Sequence, residues 1–143
     1  MAEFHGAKLC VLRDGDLLTI QRDDRPDIPF PGFWDLPGGG REGRETPAEC
    51  VLRELTEELS ITLPEDRIVW QRAYPPGAAL GAETWFLVAD GHDVSDVDIQ
   101  LGDEGQRWCW EGVDDYLENP SAVPHLKLRL QEFLDEAQAL PGA

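Results

Sequence analysis

The sequence has few cysteines, few basic residues and no long apolar segment, and each shortage excludes a class of protein. Its three cysteines, Cys10, Cys50 and Cys109, lack C-x-x-C spacing. This argues against a disulfide framework or a zinc site and favours a reducing cytoplasm. No stretch approaches the roughly 20 apolar residues of a transmembrane helix. The N-terminus also lacks the basic and apolar regions of a signal peptide.

Positive charge is scarce throughout the chain. Twelve lysines and arginines stand against 29 aspartates and glutamates, so the formal net charge is −17. Such a field repels a nucleic-acid backbone and an anionic membrane, and we therefore expect neither duplex nucleic acid nor a membrane as a partner. The acidic residues could form a solvated surface, or some of them could form a carboxylate cluster that holds a metal ion.

Motifs of several other enzyme classes are also missing. The sequence contains no G-x-S-x-G, no H-E-x-x-H and no G-x-x-x-x-G-K-[ST], and its three histidines are scattered. With 143 residues, 41% of them hydrophobic, the chain has the size and composition of one globular domain. We therefore assign residues 1–143 to a single domain.

The apolar residues follow two periodicities, one typical of strands and the other of helices. The dipeptide Asp14-Gly15 between two apolar stretches predicts a β-hairpin. We expect strands at residues 7–13, 16–22, 34–37, 67–74, 83–89 and 107–113, and helices at 46–60, 114–118 and 124–139. We expect turns at 38–40 and 75–77, and loops at 23–33 and 91–102. Because strands and helices do not alternate regularly, this order predicts an α+β fold with a mixed β-sheet between helices.

The helix at 46–60 has the clearest local signals. Thr46 and Glu49 match a T-x-x-E capping box, and Pro47 is a residue favoured in the first helical position. At about 100° per residue, one helix face is apolar and is expected to face the core. That face consists of Ala48, Val51, Leu52, Leu55 and Leu59.

Three glutamates, Glu54, Glu57 and Glu58, occupy the neighbouring arc of the same helix. Their mutual repulsion would weaken an isolated helix by about 0.2–0.5 kcal/mol per pair. A stable helix either leaves such carboxylates solvated or supplies them with a cation. Clustered hard oxygen ligands beside a glycine-rich turn suit Mg²⁺ or Mn²⁺, which usually also bind substrate phosphates.

The spacing of these residues resembles a family motif. Gly39 is followed after five residues by Glu45, and after seven more by R-E-L-T-E-E-L-S-I at 53–61. This segment resembles the Nudix box, G-x5-E-x7-R-E-U-x-E-E-x-G-U, in which U is a bulky aliphatic residue. Every fixed position matches except one, where Ser60 replaces the final glycine. The expected order of elements also resembles that family over nearly the whole chain.

The resemblance implies an α/β/α sandwich and a hydrolase. The resemblance implies cleavage of a nucleoside diphosphate linked to another group, with Mg²⁺ as the cofactor and Mn²⁺ as the alternative. By position, the resemblance implies that Glu57 and Glu58 bind the metal together with the backbone carbonyl of Gly38. It implies that Glu54 is a further ligand or the base that activates water.

Three other residues have roles that the resemblance implies. Arg53 would orient and neutralise Glu54, and Glu45 would support the site by hydrogen bonding. Many family members add one more glutamate ligand from a later loop, and Glu104, just before an expected strand, resembles it. The alternative for Glu104 is a surface position in an acidic loop.

The segment F-W-D-L-P-G-G at 33–39 resembles the W-x-x-P-G-G entry of MutT-like nucleoside triphosphate pyrophosphohydrolases. A (d)NTP is therefore the expected substrate. Trp34 could stack on the base, or it could be a core tryptophan. Gly39 and Gly40 could approach the ligand with bare backbone. Phosphate contacts could come from arginines that are otherwise solvated, namely Arg22, Arg25, Arg41 and Arg44.

Several alternatives remain open at the level of sequence. Pro76 lies 15 residues after the box, where ADP-ribose pyrophosphatases of this family often have a proline, and dinucleoside polyphosphates are also possible. A non-catalytic nucleotide-binding module is a second alternative, although the intact R-E-x-x-E-E pattern argues against it. A calcium-binding protein is a third, but the acidic cluster at 93–104 lacks EF-hand spacing. We expect a monomer or a homodimer.

Overall fold

The computed structural model describes residues 3–76 and 83–139. Its strands are β1 (Phe4–Arg13), β2 (Asp16–Gln21), β3 (Trp34–Asp35), β4 (Gly38–Gly40), β5 (Ile68–Tyr74), β6 (Glu83–Asp90) and β7 (Arg107–Gly112). Its helices are α1 (Pro47–Leu59), α2 (Val113–Glu118) and α3 (Pro124–Ala139), with 3₁₀ turns at Glu65–Arg67 and Asp96–Asp98. None of the described helices is long and apolar enough to cross a membrane. The expected turn at 75–77 extends past residue 76, and that part lies outside the described residues.

Strand β1 lies inside a mixed sheet formed by the seven described strands. It runs parallel to β6 and antiparallel to β2 and β4. Strand β5 pairs with β6, while β3 and β7 pair with β2, all antiparallel. The β1–β2 hairpin turns at Asp14 and Gly15, whose φ angles of 50° and 84° suit a two-residue hairpin turn. The expected hairpin and mixed sheet are therefore confirmed.

Alternate side chains of the sheet face two separate cores. On β1, Leu9 and Val11 are fully buried in a cluster that includes Leu55 of α1. Cys10, between them, is buried in a second cluster with Tyr116 of α2 and Leu126 of α3. Because neighbouring side chains of a strand point to opposite faces, α1 covers one face of the sheet and α2 with α3 covers the other. This confirms the α+β sandwich with a sheet between helices.

The expected turn at 38–40 is wrong, because these three glycines form strand β4 and pair with β1. Gly38 lies opposite Lys8 with a φ of 137°, and a Cβ on Gly38 would lie 2.2 Å from the carbonyl oxygen of Ala7. Only glycine allows this approach. The strand could not be expected from periodicity, since glycines carry no side chains that alternate. Strand β3, which precedes β4 in the chain, ends at Asp35 and is shorter than the strand expected at 34–37.

Helix α1 begins and ends where the sequence predicts. The Thr46 hydroxyl accepts a hydrogen bond from the Glu49 N–H at 3.1 Å, and the Glu49 carboxylate accepts one from the Thr46 N–H at 2.9 Å. At the other end, Ser60 has left-handed angles, φ 62° and ψ 23°, and its N–H donates to the Thr56 carbonyl. Serine therefore occupies a conformation that favours glycine.

Ser60→Gly is expected to raise the free energy of unfolding by about 0.5–1 kcal/mol, because glycine adopts the left-handed conformation without a Cβ penalty. The exposed Ser60 hydroxyl donates to the Gln100 carbonyl at 3.2 Å, a bond that competes with water and offsets only part of the gain. Urea denaturation followed by circular dichroism measures the change. Ser95→Gly is the control. Ser95 has a φ of −99°, which serine adopts without strain, so the glycine variant should be less stable than the original protein. If Ser60→Gly were no more stable than the original protein, the left-handed conformation of Ser60 would not be a source of strain.

Candidate active site

Helix α1 presents its glutamates to a cavity beside strand β4. Its apolar face is fixed against the sheet by Val51 and Leu55, which are fully buried, so the neighbouring acidic face borders the glycine strand. The cavity has a volume of about 750 Å³, and seven carboxylates but only two basic side chains are among its described lining residues. The carboxylates include the three glutamates of α1 together with Glu104, so the structure brings these predicted site residues to one place: Glu54, Glu57, Glu58 and Glu104.

The guanidinium of Arg53 connects the predicted acidic residues to the glycine strand. Its Nε and Nη2 donate to the two carboxylate oxygens of Glu45 at 2.7 and 3.0 Å. Its Nη1 donates to Glu54 at 2.8 Å and to Glu57 at 2.9 Å, and Nη2 also donates to the Gly40 carbonyl at 2.9 Å. Hydrogen bonding from Arg53 lowers the pKa of Glu45 below its ordinary value. Arg53 thus fixes Glu54 and Glu57 relative to β4.

Glu58 is held against the first residue of β4. Its Oε1 accepts a hydrogen bond from the Gly38 N–H at 2.8 Å. Burial raises the pKa of Glu58 to about 7, opposed by Lys8 and the Gly38 N–H, while Glu54 and Asp35 raise it further. Burial therefore disfavours the ionised form of Glu58, and a cation in the cavity would stabilise that form.

Two residues of the cavity that sequence reasoning missed are Lys8 and Asp35. Lys8 Nζ donates to Asp35 Oδ2 at 2.9 Å, and Arg22 Nη1 donates to the same oxygen at 2.8 Å. Asp35 is only 6% exposed, and its Oδ1 accepts from the Leu36 N–H at 2.7 Å. Burial opposes ionisation of Asp35, but Lys8 and these hydrogen bonds hold its pKa below the ordinary value. The sequence contains one signal for Lys8, since it is the charged residue within the apolar run A-K-L-C-V-L.

A second cavity, of about 430 Å³, adjoins the acidic one. The two linings share Lys8, Gly39 and Gly40. Most of the remaining wall of the second cavity is apolar, and it includes Thr84 and Trp85 of β6 and, from α3, His125 and Arg129. The glycines expected to contact substrate therefore stand between a charged cavity and a less polar one.

Trp34 lies away from both of these cavities. It belongs to β3 and packs against the core cluster beneath α3. Its carbonyl accepts a hydrogen bond from the Tyr116 hydroxyl at 3.0 Å, and its N–H donates to the Ser121 carbonyl at 2.7 Å. This placement favours the core-tryptophan alternative over stacking on a base. Trp85 is among the lining residues of the second cavity, but its side chain packs against the core cluster beneath α1.

The candidate arginines are dispersed. Arg22 lines the acidic cavity, whereas Arg25 donates to Asp27 at 2.8 Å and lines a smaller neighbouring cavity with Arg22. Arg41 does not line the acidic cavity. Its guanidinium donates to Glu3 at 2.7 Å, and its Cζ lies 4.7 Å from the centre of the Phe4 ring. Arg44 is exposed. Of the four, only Arg22 lines the acidic cavity together with the α1 glutamates.

Comparison with known proteins agrees with this geometry. A family model described as the NUDIX domain matches residues 3–132. The chain belongs to the Nudix family. An RNA pyrophosphohydrolase from Gluconobacter oxydans is 32% identical over 143 residues, covering 85% of this chain and 74% of that protein. An RNA pyrophosphohydrolase from Acidiphilium cryptum is 46% identical over 113 residues, covering 68% of each.

The fold of the Nudix chain also matches solved structures. The crystal structure of a MutT protein from Methanosarcina mazei Go1 superposes with a TM-score of 0.72 at 23% identity, covering 95% of this chain and 96% of that one. The structural match shows the fold, and the family and its curated relatives show a hydrolase that acts on pyrophosphate bonds.

The chemistry of the Nudix site residues fits a hard divalent cation. The carboxylates of the cavity offer oxygen ligands, and burial disfavours the ionised form of Glu58, which a bound cation would stabilise. Across residues 3–76 and 83–139, however, no three carboxylate, imidazole or thiol groups converge closely enough to form a preassembled ion site. Arg53 holds Glu54 and Glu57, and the Gly38 N–H holds Glu58, so these glutamates share a cavity without forming a coordination sphere. Their roles as ligands stay a prediction.

Arg53→Lys is expected to lower kcat by roughly 100-fold, because misplacing catalytic groups by about 1 Å has costs of this size. A lysine ammonium cannot reproduce the planar fork that Arg53 directs at both oxygens of Glu45 while also contacting Glu54 and Glu57. Steady-state hydrolysis of the preferred nucleotide measures the loss.

The matched control is Arg67→Lys. Arg67 also donates through two nitrogens to one carboxylate, that of Asp93, at 2.7 and 2.6 Å, but it does not line the acidic cavity. Its replacement should leave kcat within about twofold, since exposed ion pairs contribute little. Equal losses in the two variants would show that Arg53 has no special role in arranging the glutamates.

Proposed function

We propose that this Nudix hydrolase is a MutT-like enzyme that cleaves the phosphate chain of a nucleoside 5′-triphosphate in the presence of Mg²⁺. The observation that carries the proposal is the junction of two unlike cavities at Lys8, Gly39 and Gly40. The carboxylate-lined cavity suits a metal-bound phosphate chain. The less polar cavity suits a nucleoside base, because ligand cavities that take apolar rings are lined mostly by apolar surface.

In this proposal the glutamates of α1 have different roles, metal binding and proton acceptance. Glu57 and Glu58, with the Gly38 carbonyl and Glu104, would hold Mg²⁺, for which Mn²⁺ could substitute. Bound there, the cation would polarise the phosphoryl group and lower the pKa of a water molecule. A carboxylate oxygen of Glu54 accepts the proton of the attacking water, or Glu54 is a further ligand.

Arg53 positions Glu54, because its Nη1 donates a hydrogen bond to the Glu54 carboxylate. Glu45 holds Arg53 in turn and also accepts a hydrogen bond from the Glu42 N–H at 2.8 Å. Arg22 offers a guanidinium to phosphate oxygens. Gly39 leaves room for Glu54, because a Cβ on Gly39 would lie 2.9 Å from the Glu54 carboxylate carbon.

A second candidate substrate is the 5′-triphosphate end of RNA, which the names of the two curated relatives favour. The net charge of −17 argues against an extended RNA contact, although it does not oppose binding of a single terminal nucleotide behind a metal ion. ADP-ribose and dinucleoside polyphosphates are further alternatives. A non-catalytic nucleotide-binding module is the alternative of a different class. A cytoplasmic location and a monomeric or homodimeric state stay predictions.

The test is hydrolysis of a panel of substrates in Mg²⁺, with the products identified. The panel contains the common and oxidised (d)NTPs, ADP-ribose, a dinucleoside tetraphosphate and a short 5′-triphosphorylated RNA. We expect the highest kcat/KM for a (d)NTP, with nucleoside monophosphate and pyrophosphate as products. A higher kcat/KM for RNA or ADP-ribose would contradict the substrate assignment. Tight nucleotide binding without hydrolysis would favour the non-catalytic module.

A further inference from the structure

Lys8 stands in the wall between the two cavities. It is shared by both linings together with Gly39 and Gly40. The two glycines contribute only backbone there, so among the described lining residues Lys8 is the charged side chain common to both cavities. A molecule that occupied both cavities at once would pass its ammonium group.

The ammonium of Lys8 is oriented by contacts from one segment of the chain. Its Nζ donates to Asp35 Oδ2 at 2.9 Å, to the Leu36 carbonyl at 3.3 Å and to the Gly38 carbonyl at 3.5 Å. The side chain of Lys8 is still 24% exposed, whereas that of Asp35 is 8% exposed. Lys8 is therefore held in place yet accessible from the cavities, and a cation fixed in advance loses less conformational entropy when it binds an anion.

The single carboxylate of Asp35 cannot neutralise both of the cationic side chains that donate to it. Its Oδ2 accepts from both Lys8 and Arg22, at 2.9 and 2.8 Å, and its Oδ1 is used by the Leu36 N–H. One carboxylate between two cations leaves one net positive charge. This charge stands opposite the glutamates of α1, in a cavity whose other charged lining residues are acidic. An anionic group entering the cavity would find its positive contact here.

We propose that Lys8 binds the substrate phosphate nearest the nucleoside, at the junction of the two cavities, and that Asp35 is the positioning residue that holds Lys8 there. The inference deepens the proposed function and rests on it, because it requires a ligand with a phosphate chain in one cavity and a base in the other. The competing account is an ion pair in which Lys8 only balances the buried charge of Asp35.

The first experiment measures binding by calorimetry. The ligands are the α,β-methylene analogues of ATP and GTP, with Mg²⁺ present. Lys8→Met is expected to weaken binding by roughly tenfold or more, the usual effect of losing a hydrogen bond to a charged group. Lys8→Arg should recover most of the affinity. In turnover of the matching triphosphate, KM should rise with Lys8→Met while kcat changes much less, as for a contact present in both ground and transition states.

The matched control is Lys127→Met, the same change at the chain's other lysine. Lys127 Nζ donates to the Asn119 carbonyl at 2.8 Å and does not line either cavity. It should bind the analogues as the unaltered protein does. Selective amine labelling adds an independent readout, because nucleotide should protect Lys8 from modification and leave Lys127 reactive.

The double variant Lys8→Met/Asp35→Asn separates contact from charge balance. Lys8→Met alone leaves Asp35 buried with one cation fewer, so its unfolding midpoint should fall. Removing the charge of Asp35 as well should recover that midpoint under either account. A phosphate contact predicts that affinity stays low in the double variant, whereas an ion pair that only balances charge predicts that affinity returns with stability.

Failure of this inference is distinguishable from failure of the proposed function. If the unaltered protein binds and hydrolyses triphosphates while Lys8→Met keeps its affinity, or the double variant regains it, Lys8 is not the phosphate contact and the proposed function stands. If the unaltered protein binds neither analogue, both are overturned. If nucleotide binds without turnover and Lys8→Met weakens it, the contact stands and catalysis does not.

Discussion

Glu58→Gln is expected to lower kcat on the order of 1,000-fold while the fold is retained. Glutamine has the shape of glutamate, so its side-chain oxygen can still accept the 2.8 Å hydrogen bond from the Gly38 N–H. What it lacks is the negative charge that the site is proposed to offer to Mg²⁺. Loss of a properly charged group at the reacting centre typically costs two to four orders of magnitude in rate. Steady-state kinetics on the preferred nucleotide measures the loss.

Stability should move in the opposite direction in the metal-free protein. Burial raises the pKa of Glu58 to about 7 from an ordinary 4.5, so folding disfavours the ionised form. A carboxyl whose pKa is raised on folding costs stability as pH rises from its unfolded toward its folded pKa. Glutamine removes this cost, and Glu58→Gln should therefore be at least as stable as the original at pH 7.5 and equal to it near pH 4. Urea denaturation at the two pH values checks the sign.

Glu49→Gln is the matched control for Glu58→Gln. Glu49 lies on the same helix, and glutamine can fill its place in the capping box with Thr46. The control should therefore keep both kcat and stability near their original values. Retention of more than about a tenth of the original kcat by Glu58→Gln would contradict the assignment, because a metal ligand or charged reacting group is not dispensable at that level.

The sequence was sufficient where local chemistry decides the structure. The cap at Thr46, the apolar face through Leu55 and the end at Ser60 depend on residues within a few positions of one another. Glu54, Glu57 and Glu58 were expected on one arc for the same reason, and they line one cavity. The hairpin at Asp14 is equally local.

Long-range pairing limited the prediction elsewhere. Strand β4 exists because Gly38 meets β1 from 30 positions away, and three glycines give no periodic signal. The Lys8–Asp35 pair joins residues 27 positions apart and needs both β1 and β3 in place. Trp34 packs against the core beneath α3 and Trp85 against the core beneath α1, and nothing in their local sequence distinguishes the two faces. These features required the assembled sheet.

Removal of divalent cations is expected to abolish turnover, with a residual rate at least about 1,000-fold lower in excess chelator. Seven carboxylates line the proposed phosphate cavity against Lys8 and Arg22, so a polyphosphate without cations meets a repulsive surface. The cavity therefore has to acquire positive charge before its substrate binds. Turnover should return on addition of Mg²⁺ in excess over the chelator. Product release followed over time measures both steps.

Metal binding should also be visible without substrate. A cation that binds only the folded state raises the unfolding midpoint by mass action. It should do so more for the original protein than for Glu58→Gln, which lacks one of the proposed ligands. Glu49→Gln should show the full shift. Unchanged turnover in chelator would contradict a metal-dependent mechanism outright. Equal midpoint shifts in all three proteins would place the cation elsewhere on this acidic surface, because a site built from the α1 glutamates cannot lose Glu58 without weakening.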